Sequence, residues 1–148
     1  FLVLIMTTIH RSALVEYSAE RMFDLVNDIE QYPKFMQGCV SAKVKSQSEN
    51  KLVGELCLSK AGVTQCFTTS NALNKPNSIR MNLLEGNFAI FNAEWKFKAL
   101  RKDACKVSFH LEFEFKSGIM GFAVEKLFSS SANNLVDALV GRAKQVYS

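Results

Sequence analysis

The stretches AEWKFKAL (residues 93–100) and CKVSFHLEFEFK (residues 105–116) decide the fold. In the first, Trp95, Phe97 and Ala99 alternate with Glu94, Lys96 and Lys98. In the second, Val107, Phe109, Leu111, Phe113 and Phe115 alternate with Lys106, Ser108, His110, Glu112 and Glu114. Successive side chains of a strand point to opposite faces, so each stretch has one apolar and one polar face. That is the pattern of an antiparallel sheet covered on one side. The cover follows directly in the chain. After Gly118, the span Ile119–Tyr147 reads as one long helix. At about 100° per residue, Met120, Val124, Leu127, Phe128, Leu135 and Leu139 share an arc. Phe122, Val136, Val140 and Tyr147 form a weaker stripe on the far side.

Working back toward the N-terminus, Thr8–Tyr17 alternates loosely and predicts a strand. Ser18 is a good N-cap for a helix running to about Asp28, with Tyr17 and Met22 placed to staple it. Glu30–Phe35 predicts a second short helix bent by Pro33. Strands then follow closely. Gly38–Ser46 turns at Ser48-Glu49-Asn50 into the Leu52, Gly54, Leu56, Leu58 alternation. Ala61-Gly62 turns the chain into Val63–Leu73. Asn74-Lys75-Pro76-Asn77 is a turn signal before Ile79, Met81 and Leu83. Glu85–Asn92 reads as an apolar loop. The order of strand, two short helices, six strands and a long helix has no βαβ alternation. It predicts an α+β fold, a curved antiparallel sheet wrapped on the C-terminal helix.

The chain has 148 residues, close to the size of one domain, and its 48% hydrophobic and 22% charged content is globular. Residues 6–148 are expected to form that single domain. Met6 looks like a natural initiator, and Phe1–Ile5 a non-native or mis-called extension. The net charge of +4 is unevenly spread. Glu16–Glu30 holds five acids and one Arg, whereas Lys96–Lys106 holds five bases and one Asp. No secretory signal is visible, so Cys39, Cys57, Cys66 and Cys105 are expected to be reduced, and the protein cytoplasmic. With two His and no C-x-x-C, no metal site is expected. No G-x-S-x-G, H-E-x-x-H or Gly-rich phosphate loop occurs, so no catalytic residue is assigned and no enzyme activity is expected.

Beyond these patterns, the chain resembles the coenzyme-Q-binding and polyketide-cyclase-like branch of the START superfamily over residues 7–147. The resemblance rests on Arg11–Ser18, on Phe23–Phe35 with its V-x-D-x-x-x-Y-P-x-F core, on Trp95-Lys96-Phe97, on Leu111–Ser117 and on Val136–Tyr147. The branch often carries Leu-Pro before Cys39 and Gly-Pro-Phe at Gly86-Asn87-Phe88. Here both prolines are lost, which leaves both loops freer. The resemblance implies a helix-grip fold with a hydrophobic tunnel between sheet and helix. It implies binding of ubiquinone, another polyprenyl quinone or a lipid in support of respiration, with no required cofactor and with transient contact at the inner membrane. The alternative it implies is a toxin-like translation inhibitor that docks on the large ribosomal subunit and blocks subunit association.

On this reading Trp95, Phe97, Phe109, Leu111, Phe113, Met120, Val124, Phe128 and Leu135 wall a ligand cavity, and the Ser131 hydroxyl is placed to bond a quinone carbonyl. The plain alternative is an ordinary aromatic core with Ser131 bonded to its own helix. Phe88, Ile90 and Phe91, apolar in a loop, are expected either to form a portal or to tuck against the sheet. Lys96, Lys98, Arg101, Lys102 and Lys106 form a basic surface. It would suit RNA phosphates or anionic headgroups, or would simply be a solvated face.

Overall fold

Strands form where alternation predicts them in the computed structural model, which describes residues 6–116 and 121–147. Strand β1 (Thr7–Val15) leads into helix α1 (Ala19–Asn27) and a 3₁₀ turn, Ile29–Lys34. Strands β2 (Cys39–Gln47), β3 (Lys51–Lys60), β4 (Val63–Asn74), β5 (Ser78–Glu85), β6 (Phe88–Arg101) and β7 (Ala104–Phe115) follow, and helix α2 (Phe122–Tyr147) ends the fold. The strands form one antiparallel sheet in the order β1-β7-β6-β5-β4-β3-β2. Irregular register near Cys39, Val44, Thr68, Phe88 and Ala99 bends the strands, as extra residues in one strand of a pair do. The sheet curves around α2.

Local signals explain the N-terminal layer. The Ser18 hydroxyl accepts from the Arg21 backbone N–H at 3.1 Å, capping α1. Met22, Phe23, Leu25 and Val26 turn inward and are buried. Gly54 permits close approach here, since a Cβ at that position would collide with Ile29 Cδ1 from the 3₁₀ turn. Helices α1 and α2 are clasped together. Tyr147 Oη donates to the Arg21 carbonyl at 2.8 Å, and the Arg21 guanidinium lies 5.2 Å above the Tyr147 ring.

Three expectations change. The loop over Glu85–Asn92 shrinks to Gly86-Asn87, because β6 begins at Phe88. Val136, given to the exposed stripe of the last helix, is buried, whereas Phe122 on that stripe is exposed. The sheet wraps a wider arc of α2 than a single stripe covers. Cys57 and Cys66 form a disulfide rather than remaining reduced. The two-residue turn that pairs Lys60 with Val63 sets Cys57 directly opposite Cys66. Cys39 and Cys105 are free and buried. Residues 1–5, taken as an extension, lie outside the described residues.

Candidate functional site

The sheet's concave face, α1, the 3₁₀ turn and α2 enclose an apolar cavity of about 50 Å³. Helix α2 contributes Phe128, Ala132 and Leu135, spaced to share one helix face. Central strands contribute Trp95, Phe109 and Leu111. Strands β3 and β4 contribute Gly54, Leu56, Leu58 and Phe67, and Met36 and Met81 complete much of the wall. Trp95 stacks on Phe109 with centroids 4.4 Å apart.

Polar atoms in this wall are few. Thr69 and Asn71 follow Phe67 at every second position of β4, so they face inward with it, and both are buried. Thr69 Oγ1 donates to Asn71 Oδ1 at 2.7 Å. That leaves the Asn71 NH₂ available as a donor. Asn27, the last residue of α1, also lines the cavity, and its buried Oδ1 has no hydrogen-bond partner. A small hydrogen-bonding spot is thus set in an apolar wall, the arrangement that orients a ligand's polar head.

Of the residues assigned to the cavity from sequence, Trp95, Phe109, Leu111, Phe128 and Leu135 line it. Phe97 is buried edge-on to Phe23 of α1, 5.5 Å between centroids. Phe113 lies 4.7 Å from Phe128 in a ring cluster. Val124 is half-buried and outside the cavity lining. Met120 lies outside the described residues. Ser131 is buried beside Leu127 and Gly38, on the helix stripe next to the cavity rather than among the aromatic rings. Thr69, Asn71 and Asn27 were missed. Alternation through β4 was the available signal for the first two.

The portal residues also change character. The pairing moves from Phe88–Phe115 to Ile90–Glu114 and Phe91–Phe113, with Ala89 as the extra residue. In a regular strand Phe88 and Phe91 would face opposite ways. The bulge turns both inward, where they pack with Phe67, Phe113, Phe115 and Phe128. Ile90 is half-buried on the other face. The exposed apolar loop on which a portal rested is therefore absent.

The five basic residues lie on the outer side of the β6–β7 hairpin and at its turn, and all are exposed. Lys96 is 3.8 Å from Glu94, and Arg101 is 2.9 Å from Asp103. Lys98 sits directly opposite Lys106, and neither has an ion-pair partner among the described residues. Like charges directly opposite destabilise a sheet. Elsewhere His10 Nδ1 and His110 Nδ1 meet at 3.3 Å, and Asp24 is held by Lys75 at 2.9 Å. Among the described residues no group of three His, Cys, Asp or Glu is placed to hold a metal ion.

Buried acids give the site a pH signature. Tyr32 Oη donates to the Val26 carbonyl, and burial, aided by Cys39 and Asp28, drives its pKa far above the ordinary tyrosine value. Burial pushes the Cys39 and Cys105 thiols up to about 11. The unfolded chain releases these protons at lower pH than the fold does, so stability is full below about pH 9 and falls as pH rises. Urea unfolding from pH 8 upward should show that decline, steepening above pH 10 as Tyr32 joins. In Tyr32→Phe the steeper part should shrink to the share of Tyr147, whose pKa burial also raises, with a baseline loss of about 1 kcal/mol from the missing hydrogen bond. A flat profile to pH 11 would contradict the assignment.

With this geometry in hand, likeness to known proteins is informative. A profile of the family described as "Polyketide cyclase / dehydrase and lipid transport" matches residues 15–140. "Ribosome association toxin RatA" of Vibrio cholerae is 46% identical over 142 residues, 96% of this chain and 99% of that protein. RatA of Escherichia coli strain K12 is 41% identical over 145 residues, 98% of this chain and 92% of that protein. "Coenzyme Q-binding protein COQ10, mitochondrial" of Drosophila melanogaster is 24% identical over 139 residues, 91% of this chain and 57% of that protein. Among solved structures, the Zhui aromatase/cyclase from Streptomyces sp. R1128 superposes with a TM-score of 0.82 at 14% identity, covering 97% of both chains. A START superfamily protein from Mycobacterium smegmatis does so at 0.76 and 23%, covering 94% of this chain and 98% of that one. At such identities these two show the fold alone. The full-length likeness to RatA and the family match, on a sheet wrapped around one long helix, make this chain a member of the polyketide cyclase/dehydrase and lipid transport family.

Proposed function

We propose that the protein binds a hydrophobic small molecule in its interior, a polyprenyl quinone or similar lipid whose ring bears hydrogen-bonding groups. The observation that carries this reading is the Thr69–Asn71 pair set in an otherwise apolar cavity between sheet and helix. A water molecule requires about 10–15 Å³ on this measure, so the cavity admits only a few water-sized bodies. A prenylated ring enters only if side chains give way. Met36 and Met81 in the wall are flexible enough to do so. Binding needs no chemistry from the protein, and none is proposed.

The test uses Trp95, the chain's single tryptophan, which lines the cavity. Short-chain ubiquinone should quench its fluorescence saturably, and mass spectrometry of lipid extracted from purified protein should find an isoprenoid. Ala132→Leu fills the cavity from α2. It should weaken quenching about tenfold while leaving the melting temperature unchanged or higher. Equal quinone affinity in the variant would place the ligand elsewhere.

A second reading is favoured by the names of the relatives that match along their whole length. On this reading the protein docks on the large ribosomal subunit and inhibits translation, with Lys98, Lys102 and Lys106 toward RNA phosphates. Failure of the wild-type protein to cosediment with large subunits at low salt would remove it. Both readings place the protein in the cytoplasm, the first with passing contact at the inner membrane. No described helix is long and apolar enough to cross a membrane.

A further inference from the structure

A second concavity lies on the other stripe of α2, and it shares no lining residue with the interior cavity. It measures about 250 Å³ and is bounded by the β3–β4 turn, by Gln37-Gly38 and by the first half of α2. Its floor is apolar: Ala61, Val63, Ala123 and Leu127. Its polar groups are of one kind. Lys60 and Lys126 are exposed and have no ion-pair partner among the described residues. Gln37 already gives its carbonyl oxygen to Asn134 Nδ2 at 3.1 Å, which leaves its NH₂ to donate. Among the described residues no carboxylate lines the groove.

Ser131 is the second, independent sign of a ligand. It is 2% exposed, and its Oγ has no hydrogen-bond partner. A buried hydroxyl without a partner is destabilising unless a ligand satisfies it. Gly38 packs closely against it: a Cβ there would stand 2.8 Å from Ser131 Oγ and 3.2 Å from Leu127 Cδ1. Gly38 has φ +83°, a conformation natural to glycine. Two ammonium groups, an amide NH₂ and an unused hydroxyl above an apolar floor match one ligand chemistry.

We propose that this groove binds the oxyanion head of a single-chain amphiphile, a carboxylate or phosphate, with the first carbons of its chain on the Val63–Leu127 floor. The site stands apart from the interior cavity and does not depend on the function proposed for it. Four probes test it on the ¹⁵N-labelled protein by NMR: decanoate, decyl phosphate, decanol and inorganic phosphate. At least one of the two anionic amphiphiles should shift the Gly38, Gly62, Leu127 and Ser131 amides saturably, and decanol should bind at least about tenfold more weakly. Whichever head binds tighter identifies the class. Lys60→Glu combined with Lys126→Glu should weaken binding about tenfold or more, as should Ser131→Ala, each with a wild-type-like spectrum.

Equal binding of decanol and both anions would overturn the proposal, as would wild-type affinity in the double lysine variant. If inorganic phosphate bound as tightly as decyl phosphate, the apolar floor would have no role and the amphiphile would be excluded. Shifts confined to Thr69, Asn71 and Ala132 would assign the probes to the interior, supporting that cavity and refuting this groove.

Discussion

Phe128→Ala is expected to lower the unfolding free energy by about 3–5 kcal/mol, the range for deleting a buried phenylalanine. Phe128 is the hub of a six-ring cluster. Its ring centroid lies 4.7 Å from Phe113, 5.0 Å from Phe88, 5.6 Å from Phe67 and 5.8 Å from Phe115, mostly edge to face. Phe91 is slightly farther, at 6.5 Å. These rings come from β4, β6 and β7, so one side chain of α2 ties the helix to three strands. The melting temperature should fall by roughly 10 °C. Phe128 also lines the interior cavity, so its removal enlarges the space for an apolar ligand. Stability and ligand capacity should therefore move in opposite directions, with added short-chain quinone restoring part of the lost melting temperature. A loss under 1 kcal/mol would mean that the neighbouring rings collapse into the gap.

On the ribosome-docking reading, charge reversal at Lys98, Lys102 and Lys106 is expected to reduce large-subunit binding at least a hundredfold at low salt. The three lysines are exposed and lack carboxylate partners among the described residues, unlike Lys96 and Arg101, which are held by Glu94 and Asp103. Each phosphate contact releases counterions, so the salt slope of wild-type binding should be steep and should flatten by about three in the triple variant. Trp95 quenching by quinone should be unaffected, since the cavity lies on the opposite face of the sheet. A single change separates docking from folding. Because Lys98 faces Lys106, Lys98→Glu replaces a repulsion with an attraction and should add a few tenths of a kcal/mol of stability. A partner that loses affinity for a more stable protein has lost a contact, not a fold.

The parts of this molecule that sequence makes legible are those governed by a single period. β7 shows its two faces along most of its length, and from Cys105 to Phe113 the structure buries alternate residues as written. Ser18 caps α1 because the cap is a local hydrogen bond. What escaped depends on relations between segments. A bulge at Ala89 inverts the facing of Phe88, and nothing in the composition of Glu85–Asn92 marks it. The Cys57–Cys66 bond required following register outward from Ala61-Gly62, not looking for close cysteines. Ser131 and Phe128 share a broad helical arc, yet the sheet's curvature separates them into two concavities. Thr69 and Asn71 needed only the assignment of faces along β4, but polar residues in a strand are easily given to solvent by default.

The pairing of β1 with β7 has a consequence for how the chain is made. His10 lies beside His110, a hundred residues later. Strands β3 to β7 each pair with the strand just synthesised, so most of the sheet can assemble in step with elongation. β1 cannot. Its apolar Ile9 and Val15 must wait until β7 has left the synthesising machinery. Such non-local pairing is slow to form and exposes an unpaired edge meanwhile. Helix α2, which emerges last, then bridges back to the beginning through Asp137 and Arg11. β1 is thus among the last strands to find its place, and a chain truncated anywhere before β7 is left with β1 unpaired.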